Sequence, residues 1–273
     1  MEVKILGTIS PYCKKEKNCP AYLVIDDKYK VLLDCGNGSI RNLNLPADLD
    51  NLNVIISHLH KDHYGDLLSL GYASYVFKNL GYLSNRLKVY LPEANTYDTI
   101  EYSQDIDGWG TSKKVQKKLS DYEFLTNFGE ENFLEFIPYT ESTALNIGNM
   151  HITFQKNPHQ INTYSTKISD DTGTFVYSAD TGYQNNCLVN FAKKANLLLC
   201  ESSFIRGQTK GDDNHLYAYE AAKIAKSANV DHLVLTHFFP EVDPSLYFKE
   251  AQAIFTNTEI AEEGKVYKIG GRK

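Results

Sequence analysis

Hydrophobic residues recur along the chain in short aliphatic runs separated by polar loops, a pattern typical of strands. Ten such runs of four to six residues predict strands at residues 3–6, 21–25, 30–33, 53–57, 88–91, 133–138, 150–155, 174–178, 197–200 and 233–236. The second and third runs are joined by Asp26-Asp27-Lys28, which predicts a hairpin-like connection. The run at 53–57 ends abruptly in a group of histidines.

Longer segments between and after these runs predict helices. They cover residues 62–80, 184–194, 217–227 and 244–255, and we expect one or two further helices within 94–130. Strands therefore come first, a helical middle follows, and strands and helices alternate in the second half. This order predicts a layered α/β domain with sheet inside and helices outside, and the similar size of the halves suggests an internal repeat.

The composition is that of one large folded domain. Of the 273 residues 42% are hydrophobic and 23% are charged, which excludes a disordered or collagen-like chain. Because no Ser-, Gly- or Pro-rich linker interrupts the chain, we predict a single domain over residues 1–273. The formal charge of -6 and the presence of only four Arg give no attraction to a polyanion, so we expect no extended nucleic-acid surface.

The sequence also predicts a cytoplasmic protein with no membrane segment. Its start carries Glu2 and no long apolar run, so it does not resemble a secretory leader. No apolar stretch approaches the roughly 20 residues that a membrane helix requires. The five cysteines are irregularly spaced, which favours reduced thiols over a disulfide framework.

A group of metal-ligating residues follows the strand at 53–57. Three of the eight histidines and one carboxylate lie within six residues, as His58, His60, Asp62 and His63. Imidazole and carboxylate are the usual ligands of zinc, manganese and iron, and a turn after a strand can aim several of them at one point. A polar surface turn is the alternative. Four ligands exceed the three of a catalytic zinc, which points to a second metal.

Further candidate ligands stand just past later apolar runs. These are His159, Asp180 and His237. In open α/β sheets such strand ends are where ligands gather, so these side chains are expected to complete the site.

The motif His58-x-His60-x-Asp62-His63, with the three downstream residues, resembles that of the metallo-β-lactamase superfamily. The early strand that ends in Asp34-Cys35-Gly36 is similar to the Asp-x-Gly turn of that superfamily. The resemblance implies a four-layer αββα sandwich of two mixed sheets with helices outside and a dinuclear site between the sheets. It implies one metal at His58, His60 and His159, a second at Asp62, His63 and His237, and Asp180 bridging the two. Asp34 either orients the histidine loop or is an ordinary turn residue.

A finer resemblance is to the ribonuclease Z-like phosphodiesterase branch. It rests on Ser178-Ala179-Asp180-Thr181-Gly182, on Cys200-Glu201-Ser202-Ser203-Phe204 and on His215-Leu216 before a predicted helix. The resemblance implies that Glu201 holds His215 and that His215 assists the leaving group, so His215, Glu201 and Asp62 are the candidate catalytic residues. Ala179 and Leu216 depart from the motifs of the branch. A capping or surface role for His215, and a strand-ending role for Glu201, are the alternatives.

One feature of ribonuclease Z has no counterpart here. The bacterial enzymes carry a tRNA-gripping arm between the third metal histidine and the bridging aspartate, and only twenty residues separate His159 from Asp180. The chain therefore resembles the short members of the branch that lack the arm, among them phosphodiesterases of small substrates.

The function expected from the sequence is a dinuclear phosphodiesterase that uses a metal-bridging hydroxide on a nucleotide or another small phosphodiester. A lactonase or (thio)ester hydrolase, a tRNA 3′-processing endoribonuclease and a non-catalytic metal-binding protein are the alternatives. Two divalent ions are expected, zinc first, with manganese or iron also compatible with the ligands. A homodimer is left open.

Overall fold

The computed structural model of the protein describes residues 1–93, 101–103, 115–117, 123, 125–126, 134–184, 186–207 and 211–270. The strands of the first half are β1 Glu2–Gly7, β2 Ala21–Asp26, β3 Tyr29–Leu33, β4 Leu52–Ile55, β5 Leu87–Pro92, β6 Glu101–Ser103, β7 Val115–Lys117 and β8 Leu134–Tyr139. Those of the second half are β9 Ala144–Ile147, β10 Met150–Lys156, β11 Tyr164–Ser169, β12 Thr174–Tyr177, β13 Leu197–Glu201, β14 Leu233–Thr236, β15 Thr258–Ile260 and β16 Val266–Lys268.

The α-helices lie between these strands. They are α1 Lys61–Tyr64, α2 Leu67–Asn79, α3 Cys187–Phe191, α4 Ala218–Ala228 and α5 Pro244–Gln252, and two short 3₁₀ turns cover Ser39–Asn42 and Ala47–Leu49. In the part of the chain that the structure describes, no helix has the length and apolar character needed to cross a membrane.

Two seven-stranded sheets share one pattern of strand directions. Their orders are β16-β1-β2-β3-β4-β5-β8 and β9-β10-β11-β12-β13-β14-β15, and β6 and β7 pair separately. In each sheet the first three pairings are antiparallel. The last three pairings are parallel in both. This correspondence supports the internal repeat that the sequence suggested.

Three apolar cores separate four layers. The inner faces of the two sheets pack together through residues such as Val24 and Phe175. The outer face of the first sheet packs against α2 through Leu67, and the outer face of the second packs against α4 and α5 through Ala221 and Tyr247. The αββα sandwich with two mixed sheets is therefore confirmed.

Several predicted elements need correction. The helix predicted over 62–80 is divided into α1 and α2, because Asp66 is pinned to the 35–40 turn: its backbone N–H donates to Cys35 O, and its carboxylate accepts from Ile40 N. The helix predicted over 184–194 shortens to α3. Within 94–130, where one or two helices were predicted, residues 123, 125 and 126 are helical, whereas β6 and β7 are strands, in which Tyr102 and Val115 favour extended backbone. Most of that stretch lies outside the described residues.

Besides β6 and β7, four strands were not predicted, namely β9, β11, β15 and β16. The polar sequence of β11 hides a strand that is buried by its neighbours β10 and β12. The other three lie at the edges of the sheets and have three or four residues each, too few for a periodic signal.

Candidate metal centre

The seven residues that the sequence singled out as ligands meet at one edge of the two sheets. His58 and His60 follow β4, Asp62 and His63 lie in α1, His159 follows β10, Asp180 follows β12 and His237 follows β14 directly. They form two groups whose candidate ligand atoms lie within 4.8 Å of one another, one of His58, His60, His159 and Asp180 and one of Asp62, His63 and His237. Each sheet contributes to both groups.

The first group is drawn together by three imidazoles. His60 Nδ1 lies 3.0 Å from His58 Nε2 and 3.2 Å from His159 Nε2. Asp180 Oδ2 lies 3.4 Å from His58 Nε2 and 4.0 Å from His159 Nε2. One carboxylate oxygen and three ring nitrogens therefore surround a common point.

The second group faces the other oxygen of the same aspartate. His63 Nε2 and His237 Nε2 are 3.2 Å apart, and Asp62 Oδ2 lies 3.6 Å from the first and 3.8 Å from the second. Asp180 Oδ1 lies 3.3 Å from His63 Nε2 and 3.1 Å from His237 Nε2. Asp180 therefore presents one oxygen to each group, as a bridging ligand would.

The donor set fits divalent metal ions. Asp180 Oδ1 is buried and makes no hydrogen bond among the described residues, which is costly for a carboxylate oxygen unless a cation faces it. Burial, with the charge of His63, holds the pKa of His58 well below its usual value, and burial and His159 lower that of His60 to about 4. These two shifts favour the neutral imidazole, the form that binds metal. At His63 burial also opposes the charged ring, but the surrounding carboxylates raise its pKa well above the usual value.

The histidines that surround it keep the central carboxylate of the site ionised. Burial opposes the negative charge of Asp180, but His237, His63 and His58 together hold its pKa well below the ordinary value. The site therefore carries an anionic bridge between imidazoles, the arrangement that a pair of cations stabilises.

Asp34 contacts His63 on the side of the ring that faces away from the metal centre. Its Oδ2 is 2.8 Å from His63 Nδ1, accepts from Tyr177 Oη at 2.7 Å and accepts from Ser57 Oγ at 2.9 Å. Its Oδ1 accepts from Ser57 N at 2.7 Å. A fully buried carboxylate with these four contacts fixes the ring of His63, which favours the orienting role over that of an ordinary turn residue.

Other supporting residues were missed by the sequence reasoning. Ser10 Oγ donates to Asp62 Oδ2 at 2.7 Å, and His159 Nδ1 lies 3.0 Å from Asn214 O. Both partners are distant in sequence and have no motif of their own, so no signal in the chain could have found them.

His215 and Glu201 form a pair beside the two groups. His215 Nδ1 lies 3.0 Å from Glu201 Oε1 and 3.8 Å from Asp180 Oδ2. Burial disfavours the charged imidazole, but the Glu201 carboxylate outweighs it and raises the pKa of His215 to about 10. The His215 side chain is 21% exposed whereas that of Glu201 is 1% exposed. A cationic imidazole therefore stands where the site meets solvent.

Small residues allow the motif loops to approach one another. A Cβ on Gly36 would lie 2.1 Å from Asp62 O, and one on Gly182 would lie 1.9 Å from Asp213 O. Ala179, which replaces the glycine of the resembled motif, has φ 50° and a fully buried methyl group in the inner core. Packing of that methyl offsets the backbone strain of a left-handed alanine.

Comparison with known proteins gives relatives along the whole chain. The model of the family described as "Anti-Pycsar protein Apyc1" matches residues 1–222. The probable metallo-hydrolase YhfI of Bacillus subtilis (strain 168) is 29% identical over 270 residues, which are 98% of this chain and 100% of that protein. A ribonuclease Z of Archaeoglobus fulgidus is 25% identical over 301 residues, covering 96% of this chain and 95% of that protein.

Solved structures agree with the fold. The crystal structure of the metallo-beta-lactamase fold protein YhfI has a TM-score of 0.82 at 28% identity and covers 97% of this chain and 98% of its own. Human tRNase Z, short form (ELAC1), has a TM-score of 0.71 at 17% identity and covers 98% of this chain and 99% of its own. At this identity the likeness is evidence for the fold only. The sandwich described above is therefore the metallo-β-lactamase fold, as expected from the motif residues.

Proposed function

The chain belongs to the family of anti-Pycsar protein Apyc1 and is a metal-dependent hydrolase of the metallo-β-lactamase fold, and we propose on this basis that it is a phosphodiesterase of small phosphodiesters, nucleotides among them. Two divalent ions act in this proposal, with zinc first and manganese or iron as alternatives, because the ligands are imidazoles and carboxylates.

The proposed ligands follow the two groups of the site. His58, His60 and His159 would hold one ion, Asp62, His63 and His237 would hold the other, and Asp180 has one carboxylate oxygen toward each group. When bound, such ions lower the pKa of water and neutralise negative charge on phosphoryl oxygens. This chemistry needs few Arg residues, in agreement with a chain that has four.

The observation that favours phosphodiesters is the His215–Glu201 pair. Glu201 Oε1 engages His215 Nδ1, so the opposite nitrogen, Nε2, is the one that can give a proton. As the bond between phosphorus and the leaving oxygen breaks, that oxygen takes the Nε2 proton and leaves His215 neutral. A positioned acid of this kind contributes about 10² to 10⁴ in rate when the leaving group is an alkoxide. A lactone opens without the same need.

The connection between His159 and Asp180 supports a small substrate. It consists of β11 and β12, an antiparallel pair closed by the tight turn 170–173, in which Asp170 N donates to Gly173 O. In sequence, this short hairpin stands between the same two motif residues as the tRNA-gripping arm of the bacterial ribonuclease Z enzymes that the chain resembles. Together with the net charge of -6, this favours a compact phosphodiester over a long nucleic acid.

The fold alone does not select the substrate. Solved structures with TM-scores of 0.68 and 0.63 include a diphosphatase from the PhnP family and an isothiocyanate hydrolase, at 14% and 11% identity. Lactonase or (thio)ester hydrolase activity and tRNA 3′-processing therefore remain as outcomes that an experiment must separate.

A substrate screen separates these outcomes. Metal-loaded protein of known elemental content is assayed with bis-p-nitrophenyl phosphate, cyclic nucleotides, precursor tRNA, a lactone and a thioester. Hydrolysis of the small phosphodiesters that stops on chelation supports the proposal. Hydrolysis of the lactone or thioester alone, or of precursor tRNA alone, would contradict it.

A further inference from the structure

Two serines connect buried carboxylates to histidines of the metal centre. Ser203 Oγ lies 2.8 Å from Glu201 Oε2 and 2.8 Å from His237 Nδ1. Ser57 Oγ lies 2.9 Å from Asp34 Oδ2 and 3.0 Å from His58 Nδ1. Both serines are buried, and each lies between a carboxylate on one side and the outward-facing nitrogen of a histidine on the other.

The direction of each hydrogen bond follows from counting protons. An ionised carboxylate only accepts, and a serine hydroxyl has one proton to give. Glu201 accepts from Thr181 N at 3.0 Å and from Ser203 N at 3.2 Å, and it contacts His215 Nδ1 at 3.0 Å. Because N–H donors surround the Glu201 carboxylate, its Oε2 also accepts from Ser203. The hydroxyl proton of Ser203 therefore points to Oε2, and a lone pair of the Ser203 oxygen points to His237.

The ring of His237 must then donate. A hydroxyl oxygen with its proton directed elsewhere makes a 2.8 Å contact only with an N–H, so Nδ1 of His237 carries the proton. The other nitrogen, Nε2, keeps its lone pair and faces Asp180 Oδ1 and His63 Nε2 at 3.1 and 3.2 Å. The same count at Ser57 places the proton of His58 on Nδ1 and its lone pair on Nε2, toward Asp180 Oδ2.

We infer that Ser57 and Ser203 are positioning residues that relay Asp34 and Glu201 to His58 and His237, and so fix the ring tautomer that offers Nε2 to a metal ion. The inference rests on the ligand assignment of the proposed function. Each carboxylate also contacts a second histidine directly: Asp34 contacts His63, and Glu201 contacts His215.

The two serines contact histidines of different ligand groups, so replacing each serine should affect a different ion. His58 belongs to the group with His60 and His159, and His237 belongs to the group with Asp62 and His63. Loss of an orienting partner costs about 10- to 100-fold in metal affinity. Ser57→Ala should therefore lower the affinity for one ion by that factor, and Ser203→Ala should lower the affinity for the other.

Ser202 provides a matched control. It is adjacent to Ser203 and fully buried, and its hydroxyl donates to the backbone oxygen of Thr236 at 3.0 Å, with no histidine ring as its partner. Ser202→Ala removes a buried serine hydrogen bond of the same kind and should leave the affinity of both ions unchanged.

The test is a zinc competition titration of the full-length protein and its three variants against a chromophoric chelator, with ring ¹⁵N NMR of histidine in the zinc-free and zinc-loaded wild type. We expect weaker binding of one ion in Ser57→Ala, weaker binding of the other ion in Ser203→Ala, and unchanged binding of both ions in Ser202→Ala. In the NMR spectra, His58 and His237 should carry the ring proton on Nδ1. Wild-type affinity of both ions in both relay variants, or Nε2–H rings in the zinc-free wild type, would overturn the inference.

The two measurements do not depend on the substrate of the enzyme. Titration and NMR require no substrate, so they decide the relays even if no phosphodiester is hydrolysed. The wild-type spectrum needs no variant, so it remains decisive if a substitution prevents folding.

Discussion

At the residue scale, four of the five proposed ligand histidines have a contact on each ring nitrogen. His63 presents Nε2 to His237 at 3.2 Å, while its Nδ1 is held by Asp34 at 2.8 Å. His159 is held by Asn214 O in the same way. Because these outer contacts exist in the protein itself, the ligand geometry is set before any ion binds, which lowers the cost of ordering on binding.

Replacing Asp34 tests the importance of the outer contacts. Asp34→Asn removes the charge that faces His63 and offers an amide in place of an acceptor, so metal affinity should fall about 10- to 100-fold. The matched control is Tyr177→Phe, which removes one hydroxyl contact to the same carboxylate and should cost about 1.5–3 kcal/mol of unfolding free energy while two ions remain bound. Metal content and chemical denaturation measure both; equal metal loss in the two variants would refute a specific role of Asp34.

Replacing His215 tests the acid. His215→Ala should lower the turnover of an alkyl phosphodiester by about 10² to 10⁴, because the departing alkoxide then has no proton donor. An aryl ester, whose leaving group departs as a stable anion, should lose much less, and the content of metal should not change. Steady-state rates on the two substrates make the comparison. Unchanged turnover of the alkyl ester would eliminate the acid role.

At the element scale, the sequence predicted the strands that contain an apolar run and missed the polar strand β11 and the short edge strands β9, β15 and β16. β13 and β14 are continuous aliphatic runs that could be read directly. β11 is a strand because its backbone pairs with β10 and β12 on both sides, and the buried hydroxyl of Ser165 is satisfied by Asn157 and the backbone of Ser178, partners that the local pattern does not contain. Four of the seven ligands were found because they cluster within six residues, and the other three because each follows an apolar run and matches the resembled motif. Orienting residues such as Ser10 lie in distant segments and carry no such signal.

The turn at Gly36 packs against α1, so a substitution at Gly36 should disturb the metal centre. A Cβ at this position would meet the Asp62 carbonyl at 2.1 Å, so Gly36→Ala must displace α1 and with it Asp62 and His63. We expect loss of bound metal and a lower melting temperature.

Gly207→Ala is the control for this variant. Gly207 has φ 79°, and an added Cβ would meet no atom of the described residues within 4 Å, so alanine there costs about 1–2 kcal/mol of backbone strain without contacting the described site residues. Metal content should therefore fall in the first variant only. Two ions bound with normal affinity in Gly36→Ala would show that the contact is not needed.

At the scale of the whole molecule, the site joins the two sheets. The first sheet supplies His58, His60, Asp62 and His63 from its strand ends, and the second supplies His159, Asp180 and His237. Neither sheet completes either group of ligands alone. Bound ions therefore favour the docked state of both sheets, so that metal binding stabilises the fold as a whole.

Removal of metal should lower the stability of the entire chain. An ion at 100 times its dissociation constant adds about 2.7 kcal/mol to the free energy of unfolding, and chelation removes that contribution. Thermal unfolding before and after chelation measures it, and His58→Ala, which lacks a ligand, should respond less. Identical melting curves with and without metal would show that the ions do not link the sheets.

The most direct test of the central claim is a stoichiometric metal titration of the wild-type protein and Asp180→Ala, with hydrolysis of a small alkyl phosphodiester and bound metal measured on the same samples. The account predicts that wild-type activity rises as the content approaches two ions per chain, and that Asp180→Ala loses both metal and activity, because this carboxylate faces both groups of ligands. Full phosphodiesterase activity in metal-free protein, or two tightly bound ions with the phosphodiester left intact, would contradict it.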